Sequence, residues 1–273
     1  MGVEIPLFVK WAGGKKQLLS KFEEFYPENI EVYREPFVGG GAVFFHVKQK
    51  FNPKKIFLSD YNSELINLYV QIRDNLSELI KLLRIHAKNH SKDYYYEARN
   101  AYNKEKDSLK KAALLLYLNR TCFNGLFRVN SKNEFNVPIG SYKNPEIVRE
   151  ETLKKASHLL KNVVAKAQDF KKVLETAKKG DFVYLDPPYW PFKKNNFTSY
   201  TDLDFGREDQ VRLAEVFMKL DAKGCKVMLS NSDSELIHKL YKGYNIRKVK
   251  ARRSINSDAK GRGEIDEVVV TNY

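Results

Sequence analysis

Cysteine is nearly missing from this chain: Cys122 and Cys225 are the only two in 273 residues, and they form no CxxC pair. That excludes a disulfide framework and suits a reducing cytosol. Histidine is sparse too, and the five present show no ligand spacing, so no metal is expected. Long apolar runs are absent. The opening MGVEIPLFVKWAGGKK therefore predicts neither a signal peptide nor a membrane span, and no membrane partner is expected. The Met1-Gly2 start fails the myristoylation pattern, because Pro6 stands where Ser or Thr is required. Internal repeats and low-complexity linkers are also lacking. Acidic charge falls short: 34 Asp and Glu face 48 Lys and Arg, a formal net charge of +14. Such an excess is silent about fold but favours a polyanionic partner.

What is there reads as alternating strands and helices. Val32 to Phe37 predicts a strand that runs into Gly39-Gly40-Gly41, after which Ala42-Val43-Phe44-Phe45 opens a helix. Ile56 to Ser59 predicts a second strand ending in Asp60. Asn62 then caps one long amphipathic helix with Leu65, Ile66, Tyr69, Ile72 and Leu76 at helical spacing. Residues 90–145 differ, being rich in Tyr, Asn, Arg and Lys around a single apolar helix at Ala112 to Leu118, and read as an insertion or small second domain. Strand signals resume at Val163 to Ala165, Asp181 to Leu185 and Lys226 to Ser230. Two last strands, Tyr244 to Arg252 and Glu267 to Thr271, flank a Gly- and Lys-rich turn. The alternation predicts an α/β fold with a mainly parallel sheet, to which the C-terminal hairpin adds an antiparallel edge.

Two motifs carry chemistry. The glycines after the first strand let backbone approach a ligand closely. The dinucleotide fingerprint GxGxxG fails, because Phe44 occupies its third glycine position. A nucleoside without a diphosphate fits better, with Asp60 placed to hold ribose hydroxyls; a tight turn with a capping Asp is the plainer alternative. The sharper signal is Asp186-Pro187-Pro188-Tyr189. Two prolines end the strand in a rigid turn. Strand ends of an open α/β sheet face the ligand crevice, so a carboxylate, stiff carbonyls and an aromatic ring would project there together. An aromatic amine is a poor nucleophile because its lone pair is delocalised. Hydrogen bonds from its N–H groups to the Asp186 carboxylate and the Pro187 carbonyl would favour the pyramidal form and aim the nitrogen. Tyr189 would stack on the base.

Taken together these segments resemble the Dam-type DNA adenine methyltransferases (D12 class, alpha group), in which the cofactor motif precedes the DPPY motif. The resemblance runs from Lys10-Trp11-Ala12-Gly13-Gly14-Lys15 and Pro36 to Gly41 through Ser59-Asp60-Tyr61-Asn62, Asn124 to Arg128 and Glu134 to Pro138. It continues through Asp186 to Tyr189, Asn196 to Tyr200 and Leu229 to Ser232. It implies a Rossmann-like methyltransferase core plus a largely helical DNA-recognition insertion. Residues 1–65 and 160–273 would form the catalytic S-adenosylmethionine domain, and 66–159 the target-recognition insertion. Trp11, Ala12, Gly13, Lys15, Phe37, Gly39, Gly41, Asp60, Asp169, Phe170 and Asp186 would line the cofactor cleft, with Asp169 and Phe170 receiving the cofactor adenine. Asp186, Pro187, Pro188 and Tyr189 would form the catalytic turn.

Contacts to double-stranded DNA would come from Phe123, Asn124, Leu126, Arg128, Asn136, Pro138, Tyr142, Asn196, Tyr200 and Arg252. Phe123 stands where many relatives carry a Tyr wedge; the ring still stacks, but a hydroxyl contact is lost. Arg128 matches the family's guanine reader, which points to GATC. The basic run Lys242, Arg247, Lys248, Lys250, Arg252, Arg253, Lys260 and Arg262 alternates partly with apolar residues, fitting a phosphate-tracking strand face or simply a solvated hairpin. The resemblance further implies a cytoplasmic prokaryotic or phage enzyme that flips its target base, needs no metal, acts as a monomer and is open to pairing with a separate restriction endonuclease. Methylation of RNA or of a protein glutamine, a silent DNA-binding module and a dehydrogenase are the rival readings.

Overall fold

The computed structural model describes residues 4–190, 205–252 and 264–273. Seven strands form a single sheet: β1 (Val32–Glu35), β2 (Lys55–Asp60), β3 (Val163–Ala167), β4 (Phe182–Leu185), β5 (Lys226–Ser232), β6 (Asn245–Arg252) and β7 (Glu264–Thr271), in the order β3-β2-β1-β4-β5-β7-β6. The first five in that order run parallel, while β7 pairs antiparallel with both β5 and β6. The α/β reading and its antiparallel C-terminal edge are both observed. The strand order reverses between β1 and β4, which pair side by side (Tyr33 with Phe182, Arg34 with Val183). A crevice opens at such a reversal, beyond the carboxyl ends of the two strands.

Side-chain alternation along the strands builds a core on each face of the sheet. From β4, Phe182 and Tyr184 join one apolar cluster while Val183 and Leu185 join the other. The helices are α1 (Leu19–Phe22), α2 (Ala42–Phe51), α3 (Ser63–Asp74), α4 (Leu76–Lys88), α5 (Lys92–Lys104), α6 (Ser108–Thr121), α7 (Glu150–Leu160), α8 (Val173–Thr176), α9 (Arg207–Ala222) and α10 (Glu235–Leu240). Burial on both faces explains why β4 (Phe182–Leu185) and the Val227–Leu229 stretch of β5 are continuously apolar in sequence rather than alternating.

Asn62 caps α3 as the sequence predicts, its Oδ1 accepting from the backbone N–H of Glu64 and Leu65 at 3.0 Å each. A cap of this kind stabilises a helix by about 1 kcal/mol. The single long helix expected here is instead two. Asn75 leaves helical geometry (φ −129°, ψ 33°), so Leu76 begins α4 rather than ending α3. The Asn75 side chain makes no backbone cap at this break and donates instead to Gln71 Oε1 at 2.7 Å. Position 65/66 falls inside α3, which packs on β2 and β3 on one side and on α6 and α7 on the other. Arg73 fastens it to the sheet by donating to the Val163 carbonyl at 2.5 Å.

Candidate active site

The turns that follow β1 and β4 meet in a cavity of about 1140 Å³. All eleven cofactor-cleft candidates line it, as do Pro187, Pro188 and Tyr189. Sequence distance is thereby erased: Asp60, Asp169 and Asp186 share one wall system because parallel strands deliver their ends to the same edge, and the N-terminal segment carrying Trp11 joins them.

The glycine turn is shaped by close approach. Gly41 sits at φ +75° as the N-cap of α2, and a Cβ there would lie 2.4 Å from the Tyr69 hydroxyl. That hydroxyl donates to the Gly39 carbonyl at 2.9 Å. Gly39 is also left-handed (φ +48°) and abuts the Trp11 ring, 3.2 Å from where its Cβ would stand. Asp60 closes the turn from below: one carboxylate oxygen accepts from Gly39 N and the other from Asn62 N, each at 3.0 Å. Burial raises the Asp60 pKa, and these backbone donors act against that rise. Asp60 thus ties the glycine turn to the backbone of Asn62, the residue that caps α3. The end of the cavity lined by Phe37 and Phe170 is aromatic. Phe37 stacks on Phe170 at 5.3 Å between centroids, and Asp169 pairs with Arg212 at 3.0 Å.

At the Asp186–Tyr189 turn, Asp186 Oδ1 lies 2.9 Å from Lys15 Nζ. Lys15 also donates to the Gly13 carbonyl at 2.6 Å and stands 4.6 Å above the Tyr189 ring centre. Burial pushes the Asp186 pKa up to about 6, with Lys15 pulling it down and Glu267 pushing it up. The Tyr189 hydroxyl donates to Glu267 at 2.7 Å.

The chain matches the D12 class N6 adenine-specific DNA methyltransferase model over residues 11–255. The chain belongs to that class of methyltransferases. It is 47% identical over 99% of its length to a type II methyltransferase of Lactococcus lactis subsp. cremoris, covering 96% of that protein. It is 46% identical over 99% of its length to a type II methyltransferase of Methanocaldococcus jannaschii, covering all of it (100%). With the DNA adenine methylase of Escherichia coli K12 it shares 36% identity over 96% of this chain and 93% of that one.

In this adenine methyltransferase the recognition-loop candidates gather beside the cavity rather than inside it. Only Leu126 lines it; Asn124 and Leu126 line a smaller basic pocket next door. Phe123 is exposed, with its N–H on the Pro138 carbonyl at 2.9 Å. Asn124 holds a left-handed φ of 54°. The Tyr142 hydroxyl accepts from Lys10 at 3.0 Å. Arg128 is exposed, and its Nε donates to Asn136 Oδ1 at 2.7 Å. Trp11 joins loop and cavity, stacking on Phe127 at 5.5 Å while touching the glycine turn. On β6 the exposed Lys248 and Lys250 share a face opposite the buried Val249, and Lys248 pairs with Asp233 at 2.6 Å. Asn196 and Tyr200, with Arg253, Lys260 and Arg262, lie outside the described residues, as does the side chain of Arg252. No helix among the described residues is long and apolar enough to cross a membrane, and no group there has the composition to hold a metal.

Several site residues carry no sequence signal of their own. Glu35 is buried against the cavity, accepts from the Tyr33 hydroxyl at 2.8 Å and has its pKa pushed well up by burial. Its place directly before the glycine turn was the available clue. Arg212, Gln210 and Glu267 approach the site from later elements and could be found only by folding the chain, whereas Asn231 lies in the Leu229 to Ser232 segment that the resemblance already included.

The Asp186 pKa has a direct kinetic consequence. Ionised, the carboxylate offers two charged acceptor oxygens; protonation removes the charge and turns one of them into a donor. The methyl-transfer rate is therefore expected to fall below about pH 6, approaching tenfold per pH unit, and to level off above it. Single-turnover rates between pH 5 and 8 check this; a flat profile across pH 6 would refute it.

Proposed function

We propose that this enzyme transfers a methyl group from S-adenosylmethionine to the exocyclic amino nitrogen of an adenine flipped out of duplex DNA, within GATC. The observation that carries the reading is the placement of the Asp186–Tyr189 turn beside the glycine turn, both opening onto one cavity. The cofactor fits the residues present. Close glycine backbone, the Asp60 carboxylate and the Phe37–Phe170 pair suit a nucleoside with no diphosphate. When bound, S-adenosylmethionine supplies an electrophilic methyl group. Asp60 would accept from ribose hydroxyls, the stacked Phe37–Phe170 pair would border the cofactor adenine, and Trp11, Gly13 and Lys15 would border its methionine portion.

The target amino group lies within a base pair, so the base must leave the duplex to react. Asp186 and the Pro187 carbonyl then accept its two N–H bonds, and Tyr189 stacks on the ring. Residues 66–159, with α3 as the shared element, form the DNA-reading part, and the net charge of +14 supports phosphate binding. The enzyme acts as a monomer in the cytoplasm, and a separate endonuclease partner is in keeping with its type II relatives.

Tritium transfer from labelled cofactor to duplexes with and without GATC tests the activity, with RNA and protein as competitors. Sequencing DNA from expressing cells reads the motif. Methyl label on RNA or protein alone would overturn the reading. Adenine methylation at another sequence would overturn only GATC. A 2-aminopurine at the target position should brighten on binding if the base is flipped.

Asp60→Ala is expected to weaken cofactor binding about tenfold or more, since charge-assisted hydrogen bonds contribute roughly 1.5–3 kcal/mol each. Calorimetry showing unchanged affinity for S-adenosylmethionine would refute the ribose role.

A further inference from the structure

The catalytic turn has an anchoring problem. Pro187 and Pro188 have no N–H, so the turn cannot fasten itself through donors at those positions. Two fully buried side chains supply the fastening from outside. Gln210 on α9 donates through Nε2 to the Pro188 carbonyl at 3.0 Å. Asn231 on β5 donates through Nδ2 to Gln210 Oε1 at 3.0 Å, and its own Oδ1 accepts from Trp190 N at 3.3 Å and Ser232 N at 2.8 Å. Both side chains have 0% exposure. The peptide groups on either side of Tyr189 are thus held by one pair of amides.

The amide orientations are forced. Turning Gln210 over would set its oxygen against the Pro188 carbonyl, and turning Asn231 over would set an NH2 group against two N–H donors. Glu267 on β7 takes the Tyr189 hydroxyl and fixes the far end of the ring. Neither Gln210 nor Asn231 lines the cavity, so neither reaches the reacting atoms.

We propose that the Gln210–Asn231 amide pair is a positioning device that sets the Pro188 and Trp190 peptide groups and so fixes Tyr189, with Asp186 at the head of the same turn, for methyl transfer. This rests on the reading of Asp186–Tyr189 as the catalytic turn. Methyl transfer demands a near-attack geometry, and misplacement by about 1 Å costs roughly 100-fold in rate. Cofactor contacts lie largely on the other turn and should be untouched.

The test compares Gln210→Met and Gln210→Glu with wild type in single-turnover methylation of duplex DNA, alongside calorimetry with S-adenosylmethionine and thermal melting. Gln210→Met keeps length and burial but loses the donor. Its transfer rate should drop roughly 10- to 100-fold while cofactor affinity stays within about twofold. A wild-type rate in this variant overturns the proposal, as does a rate loss matched by equal losses in cofactor affinity and folded fraction. Gln210→Glu decides the matter should the Met variant not fold. An ionised Glu would repel the Pro188 carbonyl, whereas a protonated one can donate to it. Its rate relative to wild type should therefore climb as the pH is lowered from 8 to 6, and a ratio that stays flat overturns the proposal. Wild type that methylates DNA while both variants match it sinks the positioning role alone. Wild type that labels no DNA sinks the underlying functional reading instead.

Discussion

Asp186→Ala is expected to lower methyl transfer by three or more orders of magnitude in a protein that still folds. Two effects vanish together. On the proposed mechanism the carboxylate is the charged acceptor for the target amino group, and pre-organised polar partners of this kind are worth about 10²–10³ in rate. Orientation of the nitrogen is lost with it, and misplacement by about 1 Å costs roughly 100-fold. The fold should tolerate the change. Asp186 follows the last residue of β4, retains 17% side-chain exposure and, among the described residues, forms its one ion pair with Lys15 across the cavity. Burial raises its pKa to about 6, so the native state carries an ionised carboxylate at neutral pH against a desolvation penalty. Removing it leaves the Lys15 ammonium, which keeps the Gly13 carbonyl at 2.6 Å. Circular dichroism and melting should therefore resemble wild type, while tritium transfer to DNA nears background. A folded Asp186→Ala protein that keeps a tenth of wild-type activity would remove Asp186 from the mechanism.

Much of this architecture is legible in sequence where the signal is local. β4 is a short apolar strand stopped by two prolines, and the Asn62 cap precedes a run at helical spacing; both lie where the pattern puts them. The glycine turn is legible for the same reason, since only glycine fits Gly41 against the Tyr69 hydroxyl. What was not legible is set by tertiary contact. The break at Asn75 carries no Pro or Gly, so periodicity alone runs straight through it. Glu35 is one acid among many until the fold buries it beside Tyr33. Gln210, Asn231 and Glu267 converge on a turn 22 to 78 residues away, and no spacing rule links them. Arg212, which completes the Asp169 corner, reads as a helix-surface cation until α9 is laid against the residue 170 turn. Turns and caps are written in neighbouring residues, whereas the groups that brace them are chosen by the packed sheet.

Arg128→Ala is expected to relax discrimination for the guanine of GATC by roughly 5- to 150-fold. A guanidinium is planar and can bond twice to the two acceptors on the major-groove edge of guanine, a pairing no other base offers. One such contact is worth about 1–3 kcal/mol of discrimination, at 1.4 kcal/mol per tenfold. The fold adds a reason to choose this arginine over other surface cations. Arg128 extends from a short loop closed by a bridge between Val129 and Phe135. Its Nε donates to Asn136 Oδ1 at 2.7 Å, and its backbone carbonyl accepts from Asn136 N at 3.1 Å. One edge of the fork is thus tied down, while the exposed side chain still presents donors outward. Pre-organisation of this kind reduces the entropy lost when a contact forms. Asn136, which the sequence suggests as a DNA contact, acts on this reading by holding the reader. The measurement is methylation of GATC against the three duplexes altered only at that guanine, for wild type and Arg128→Ala. Wild type should favour GATC strongly and the variant far less, with most of the loss falling on GATC itself. An equal loss on all four sites, with a flatter salt dependence, would make Arg128 a phosphate contact instead. A wild type indifferent to that guanine would remove GATC as the target and leave adenine methylation standing.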